Sequence, residues 1–460
     1  MKIWYTIFVV EMGYLVTNTN EMRKVALSVM STLTKAGFVS YMVGGCVRDT
    51  LLGKEPKDFD VTTNATPDQV AALFNNSAFV GAHFGVSLVK FENADVEVAT
   101  FRHDGEYSDN RRPDSVELTL DVREDVTRRD FTVNALLMDE NGNVVDHVNG
   151  LVDLNNRVLR CVGNPDDRFN EDSLRMLRAV RFCAMHEFVL ESDTFNAIVR
   201  NAHLVKNVSA ERVAGELSKM LVSGHADVAF DLLLETGLAK FVMPELCGFV
   251  GCEHNSSFHP EGDVANHVRL LLAGLEKGCS LTLALAALLH DIAKPRTRGV
   301  TKEGKTHFRG HENVGADMAK DILHRLKFSN DVTDVVVNHV KNHMKFFVAR
   351  QMKRSTLMRF LRLPNFAELL ALGKLDVGAS NKDFSDVEFV ERFLNEHSDE
   401  LTRERFVNGD DLIAMGFVPG PNFKVLLEQV ETEQFEGRAA TREAALNFVR
   451  ARSPRREKRK

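Results

Sequence analysis

The chain is predicted to be an α+β protein, with a small mixed sheet near its N-terminus and an all-helical remainder. Three observations predict this. Short β-rich runs separated by glycine, proline and asparagine turns recur between residues 40 and 148. From about residue 165 apolar residues keep helical spacing almost throughout. The polar stretch GCEHNSSFHPEG, near residues 250–262, interrupts that helical pattern and marks a boundary. The expected organisation is an extension over 1–20, a head over 21–150, a helical segment over 151–250, a second helical domain over 251–390 and a helical C-terminal region over 391–460 whose basic tail, SPRREKRK, is expected to be disordered.

The elements follow in order. Met22, Val25, Ala26, Val29, Met30 and Leu33 recur at helical spacing, and Gly37 stops that helix. YMVGG is a strand running into a glycine turn, and CVRDTLLG a short helix ended by Gly53. DFDVTT is a strand, and Thr66-Pro67-Asp68 opens a helix over 68–75. GVSLVKF, DVEVATFR and VELTLDV alternate as strands, and Asn141-Gly142 turns FTVNALLMD back into NVVDHV.

Composition excludes several classes. The 460 residues are 44% hydrophobic and 27% charged with a net charge of −7, so no general affinity for nucleic acid follows from the total charge. MKIWYTIFVVEMGYLV is too short an apolar run to span a bilayer before Glu11 interrupts it, so no membrane is expected. The six cysteines show no repeating framework, which suits a reduced, cytoplasmic protein. Cys247, Cys252 and His254 lie close in sequence, but no fourth ligand of zinc-like spacing joins them.

The chemistry starts at GGCVRDTLLGKEPKDFD. Asp58 and Asp60 stand two apart on an expected strand, so both side chains share a face. Two bare carboxylates there repel, and one would have to stay protonated. A divalent cation removes the conflict; Mg²⁺ takes one or two carboxylates, water and phosphate oxygens. The competing reading of the pair alone is a solvated acidic turn. Gly44 and Gly45 argue against it, because their backbone can approach a phosphate closely at the start of a helix. With Arg48 between, the set suggests a nucleoside triphosphate held with its metal. Glu97, on a strand whose Val96 and Val98 face the other way, is the candidate third carboxylate.

The blocks GGCVRD, KDFDVTTNATP, VEVATFR, YSDNRRPDSV, TRRDFTVNALLMD, NGLVDLNNRVLR, RFNEDSLRMLRAVRF and ERVAGEL follow one another over residues 40–220. This region resembles the nucleotidyltransferases that build or repair the CCA end of tRNA, and the related bacterial poly(A) polymerases. The resemblance implies a palm with a small sheet, two-metal attack on an α-phosphate and release of pyrophosphate. It also implies that Gly45, Arg48 and Arg129 contact the nucleotide.

In NEDSLRMLRAVRF, Asp172, Arg175, Arg178 and Arg181 are spaced by three, one slowly drifting face of a helix. In isolation a salt-bridged surface, with Glu171 paired to Arg175, explains that face. Beside a nucleotide the set has another use. Cytosine and adenine both present an amine donor next to a ring-nitrogen acceptor, which a carboxylate and a guanidinium match. The resemblance assigns base reading to this segment, so Asp172 and Arg175 are the expected readers of CTP and ATP. Arg178 and Arg181 would complete the pocket. Glu211, Arg212 and Glu216 in ERVAGE would brace it.

The same resemblance leaves two activities open. The loop GEYSDNRRPDSV and the additional C-terminal domain favour CCA addition to tRNA; DFDVTTNATP occurs in poly(A) polymerases as well. A third reading is a phosphohydrolase whose head only binds RNA.

The second helical domain carries HPEGDVANHV, LALAALLHDIAKPRT, HFRGHENVGADMA and LGKLDVGASN. These resemble the HD metal-dependent phosphohydrolase superfamily. The resemblance supplies His267, His290, Asp291 and Asp376 as ligands, with His311 lining the site and Ala293 where glycine is usual. Imidazole with carboxylate suits Ni, Mn, Co, Fe or Zn better than Mg. His324 and His339 are expected to be ordinary surface or core residues. Residues 341–362 hold seven Lys and Arg and no acid, the best candidate for contacting tRNA phosphates. No protein partner is implied.

Overall fold

The computed structural model describes residues 2–79, 85–91, 94–105, 107, 113, 115–253 and 262–452, with side chains from residue 19 onward. It divides into two compact units, one of Met1–Cys247 with Glu276–Gly278, the other of Gly248–Leu275 with Cys279–Lys460.

Among the described residues the N-terminal part of the first unit carries nine strands: β1 (Ser40–Val43), β2 (Asp60–Thr63), β3 (Ser77–Phe79), β4 (Val86–Lys90), β5 (Asp95–Thr100), β6 (Arg102–Asp104), β7 (Val116–Leu118), β8 (Leu137–Met138) and β9 (Val144–Val145). Seven form one sheet in the order β3-β4-β5-β2-β1-β8-β9, and β6 and β7 pair separately. The sheet is mixed because β2 and β5 run parallel, with Val61 beside Val98, while the other neighbours are antiparallel. Val61, Val96 and Val98 point into the core, so Asp60 and Glu97, one residue out of phase, point away from it.

A helix spanning Lys2–Lys35 packs against β1, β2 and β5. Its buried stripe is Ala26, Val29, Met30 and Leu33, as the periodicity predicts, but the helix does not begin near residue 21. The extension over 1–20 and the helix continue one another. Among the described residues no helix is long and apolar enough to cross a membrane. The helix Pro67–Leu73 starts on a capping box in which Thr66 and Gln69 bond each other's backbone.

Beyond these strands the described residues are mostly helical, with two short ladders between them. Val158–Leu159 pairs with Val189–Leu190, and Gly299–Val300 with Thr306–His307. Two-residue ladders carry too little alternation to be recognised in sequence. In the second unit, the helix Leu281–Leu289 buries Ala284 through Leu289 on all sides and delivers His290 and Asp291 into the interior. A further apolar cluster of Val407, Leu412, Leu426, Val430, Ala439, Ala445 and Val449 forms the end of the chain.

Basic residues of the 341–362 stretch join these C-terminal helices. Arg354 pairs with Glu400 at 2.8 Å, and Arg359 and Arg362 with the buried Glu431 at 3.0 and 3.2 Å. Arg350 pairs with Asp386 at 2.6 Å. Four arginines of the expected RNA-facing stretch therefore pair with acids far away in sequence, which local composition does not reveal. The basic tail over 453–460 lies outside the described residues.

Candidate active sites

The first site lies on the sheet of the first unit. Asp60 opens β2; Asp58 lies just ahead of that strand, not within it, and is exposed. Glu97 stands on the neighbouring β5, exposed between buried Val96 and Val98. The three carboxylates act on one another. Partial burial, then the negative charges of Asp58 and Glu97, push the Asp60 carboxyl up to about 7, and Arg129 only partly offsets this. An all-oxygen donor set with unrelieved negative charge fits a divalent cation.

Gly44 adopts φ 79°, a conformation that L side chains rarely adopt, and precedes the short helix Gly45–Leu51. A Cβ on Gly44 would stand 3.6 Å from Arg129 Nη1, and one on Gly45 3.6 Å from Arg48 Nη2. The glycine turn and the two arginines thus share one corner. Arg48 is buried and donates to Asn134 Oδ1 at 2.5 Å and to Asp49 Oδ1 at 2.9 Å. Arg129 donates to Asp125 Oδ2 at 3.0 Å.

The helical segment meets the residues around Arg128 and Asp130. Asp172 is not part of a continuous helix with the arginines: one helix ends at Glu171, Asp172 is extended, and the next spans Leu174–His186. Asp172 caps the turn, accepting from Leu174 N at 3.1 Å and from Arg212 Nη2 at 2.8 Å. Arg175 donates to Glu171 at 2.5 Å and to the carbonyls of Arg168 and Arg128. Arg178 donates to Asp130 through Nε at 2.9 Å and Nη2 at 2.6 Å. Arg181 donates to the buried Glu216 at 2.5 Å. The guanidinium carbons of Arg48, Arg178 and Arg181 lie 5.0, 5.2 and 4.2 Å from the centre of the Phe182 ring, within cation–π range.

The second site lies in the other unit. His267 is on the helix Val264–Ala273, His290 and Asp291 follow Leu281–Leu289, and Asp376 is on Phe366–Ala379. All four are buried. His267 Nε2 is 3.3 Å from His290 Nε2 and 3.2 Å from Asp376 Oδ1; His290 Nε2 is 3.2 Å from Asp291 Oδ2. Burial would push Asp291 up, but the His290 imidazole and the Lys294 ammonium, 2.6 Å away, hold it well below the usual carboxylate range. Buried nitrogen and oxygen donors brought together in this way fit a divalent transition-metal ion. Ala293 is accommodated because Gly315 packs opposite it; a Cβ there would lie 3.7 Å from Ala293. His311 adjoins the cluster. His339 is buried with Nε2 3.3 Å from Glu368 Oε2 and no hydrogen-bond partner at Nδ1 among the described residues, and His324 is exposed.

Comparison with known proteins agrees with this geometry. Residues 40–160 match the poly A polymerase head domain, 187–249 the "Probable RNA and SrmB- binding site of polymerase A", and 263–369 the HD domain. The CCA-adding enzyme of Lactobacillus johnsonii is 31% identical over 432 residues, covering 94% of this chain and 98% of that protein. The chain belongs to the CCA-adding enzyme family. Another member, from Lactobacillus helveticus, is 45% identical over 223 residues, 48% of this chain and 56% of that protein. The crystal structure of the Bacillus stearothermophilus CCA-adding enzyme in complex with CTP superimposes with a TM-score of 0.70 at 28% identity, covering 93% of this chain and 97% of that one.

Within this family member the sequence reading overlooked four residues. Asp125 and Asp130 flank Arg128-Arg129 in DVTRRD and hold arginines of the first site; acids one and four positions from an arginine were the available signal. Phe182 had no signal, since an aromatic on a buried helix is ordinarily core. His343 had been absorbed into the basic stretch, yet it lies in the second site, 3.2 Å from His311. The loop GEYSDNRRPDSV lies mostly outside the described residues, as does His254 of the Cys247/Cys252 set.

Proposed function

We propose that this chain is a template-independent tRNA nucleotidyltransferase that adds or repairs the 3′-terminal CCA of tRNA from CTP and ATP, releasing pyrophosphate. The observation that carries the proposal is that Asp58 and Glu97 both act on Asp60, which pairs with Val43 just ahead of the Gly44–Gly45 turn, in a chain that matches a CCA-adding enzyme along 94% of its length. Asp58 and Asp60 would hold Mg²⁺, with Glu97 as the third carboxylate. Mg²⁺, when bound there, supplies positive charge for the triphosphate and acidifies the attacking 3′-hydroxyl.

The chain's own groups do the rest. Gly44 and Gly45 let the backbone approach the phosphates, and Arg48 and Arg129 neutralise them. Asp172 accepts from the exocyclic amine of cytosine or adenine while Arg175 donates to the ring nitrogen. Uracil and guanine present the reverse pattern and are refused. For that, Arg175 must exchange Glu171 for the base. Arg178 and Arg181, stacked on Phe182, close the pocket. In this reading residues 21–150 are the head, 151–250 the nucleotide-selecting and RNA-binding neck, 251–390 the HD domain and 391–460 a helical C-terminal region. The protein is assigned to the cytoplasm.

The test is direct. The protein is incubated with tRNA ending before CCA, together with CTP and ATP, and the 3′ ends are sequenced. Addition of C, C and A is expected. Long A tails would make it a poly(A) polymerase, and no extension would leave a hydrolase with an RNA-binding head.

A second activity is favoured by the buried cluster of His267, His290, Asp291 and Asp376: hydrolysis of a phosphate ester with Ni, Mn, Co, Fe or Zn, which suits trimming damaged tRNA ends before repair.

A further inference from the structure

The helix that presents Arg175, Arg178 and Arg181 ends in an arrangement that core packing alone does not call for. His186 is its last residue and is buried. The imidazole lies between two phenylalanines, with ring centres 6.0 Å from Phe182 and 5.5 Å from Phe188 and planes inclined by 28° and 29°. Glu187, at φ 56°, turns the chain so that Phe188 follows on the far side of the ring.

Lys54 reaches this column from another element. It follows Gly53, whose φ of 67° leads the chain out of the helix Gly45–Leu51 that carries Arg48. Its Nζ donates to the Met185 carbonyl at 3.4 Å and lies 3.3 Å from His186 Nδ1. An ammonium only donates, so Nδ1 accepts and Nε2 carries the ring proton. Burial, with the positive charges of Arg48, Lys54, Arg181 and Lys277, pushes the imidazole down to about 2, so the ring is neutral. The buried Nε2 has no hydrogen-bond partner among the described residues. An unmet buried donor costs stability that an apolar side chain would keep. What histidine supplies in return is a flat ring for the two phenylalanines joined to a nitrogen that accepts from Lys54.

The two helices therefore meet at two points one turn apart. At Phe182, Arg48 from one helix and Arg178 and Arg181 from the other share a ring. At His186, four residues on and so on the same face, Lys54 closes the second contact. We propose that His186 is a positioning residue for nucleotide addition: with Lys54 it fixes the helix of Arg48, which meets the phosphates, against the helix of Arg175, which meets the base. The inference rests on the reading of these arginines as nucleotide contacts, and it adds the part that sets their separation. A base and a triphosphate joined in one molecule engage both helices at once, so their affinity depends on that separation. A ligand that engages one helix does not sense it.

The test compares two ligands on the full chain by titration calorimetry with Mg²⁺ present: CTP, which spans both helices, and pyrophosphate, which meets only the phosphate end. Lys54→Met keeps the stem and His186→Phe keeps a stacked ring; each removes the contact between them. CTP affinity should fall about tenfold in each, the scale of one charge-assisted hydrogen bond, and no further in the double variant. Pyrophosphate affinity should not change. Lys54 is partly exposed, so Lys54→Met carries the test even if His186→Phe does not fold. Equal losses for both ligands would mark local damage and overturn the positioning role. Losses that add in the double variant, or that occur in only one of two folded single variants, overturn the pairing. Unchanged CTP affinity throughout overturns the proposal and leaves nucleotide addition standing. An unsubstituted chain that binds no CTP overturns both.

Discussion

Asp60 and Asp291 are the same residue type with opposite electrostatics. Asp60 is pushed up to about 7 by partial burial and by Asp58 and Glu97, whereas Asp291 is more deeply buried and yet held well below the usual range by His290 and Lys294. The carboxylates of the first site face outward and repel one another; the second cluster is enclosed and already compensated by histidine and lysine. The difference teaches what each site awaits. The first suits ions that arrive with a triphosphate and leave with pyrophosphate. The second suits a resident ion, since its ligands are positioned and desolvated before any substrate arrives.

The largest effect that could break this comparison is a crossed loss of activity. Asp60→Ala is expected to lower CCA addition on the order of 10³-fold or more, because several kcal/mol of charge stabilisation go with the ions. It should leave phosphate-ester hydrolysis unchanged. His290→Ala should do the reverse. Loss of both activities in either variant, measured by 3′-end sequencing and phosphate release, would contradict two separate centres.

Removal of metal sharpens the same contrast. Brief desalting without divalent ions should abolish addition fully and reversibly, with activity returning on adding Mg²⁺. Hydrolysis should survive that treatment and disappear only after prolonged chelation. Equal sensitivity of the two activities would mean that both ions are loosely held.

The next effect lies in base choice. Asp172→Ala should shrink discrimination against UTP and GTP by about 10- to 100-fold, as the loss of a bidentate base contact would. The loss should show in the ratio of kcat/KM values for CTP and UTP. A uniform fall for all four nucleotides would mean that Asp172 serves only as the cap seen with Leu174 and Arg212.

How much of this was legible beforehand follows from the range of each signal. Asp58, Asp60, Glu97 and the glycine turn lie within about 55 residues, and the alternation of Glu97 with Val96 and Val98 was readable, whereas Asp58 falls ahead of the strand on which the spacing rule had placed it. The break at Asp172 was invisible to a three-residue spacing rule, because the capping interaction with Arg212 is tertiary. The partners of Arg354, Arg359 and Arg362 in the basic run at 341–362 were hidden for the same reason: Glu400 and Glu431 stand far along the chain. His343 was hidden inside that run. Its role depends on a helix end meeting His311, which no local pattern encodes.

The smallest expected effect concerns Asp130, which ties the neck to the sheet. It accepts from Arg178, from Asn134 Nδ2 at 3.1 Å and from Phe131 N at 2.8 Å. Burial pushes its carboxyl up, but Arg178 and these donors bring it down to about 2. A value depressed below that of the unfolded chain stabilises the fold above about pH 4, and the contribution fades as pH falls towards about 2. Asp130→Asn keeps the shape, removes the charge and sets an amide against donors. It should cost about 1.5 kcal/mol at pH 7, the scale of one charged hydrogen bond, since Arg178 remains partly exposed. Denaturant midpoints of both proteins from pH 7 down to pH 3 check the sign: the gap must narrow in acid. A gap that is constant with pH would assign the loss to packing and not to the ion pair between Asp130 and Arg178.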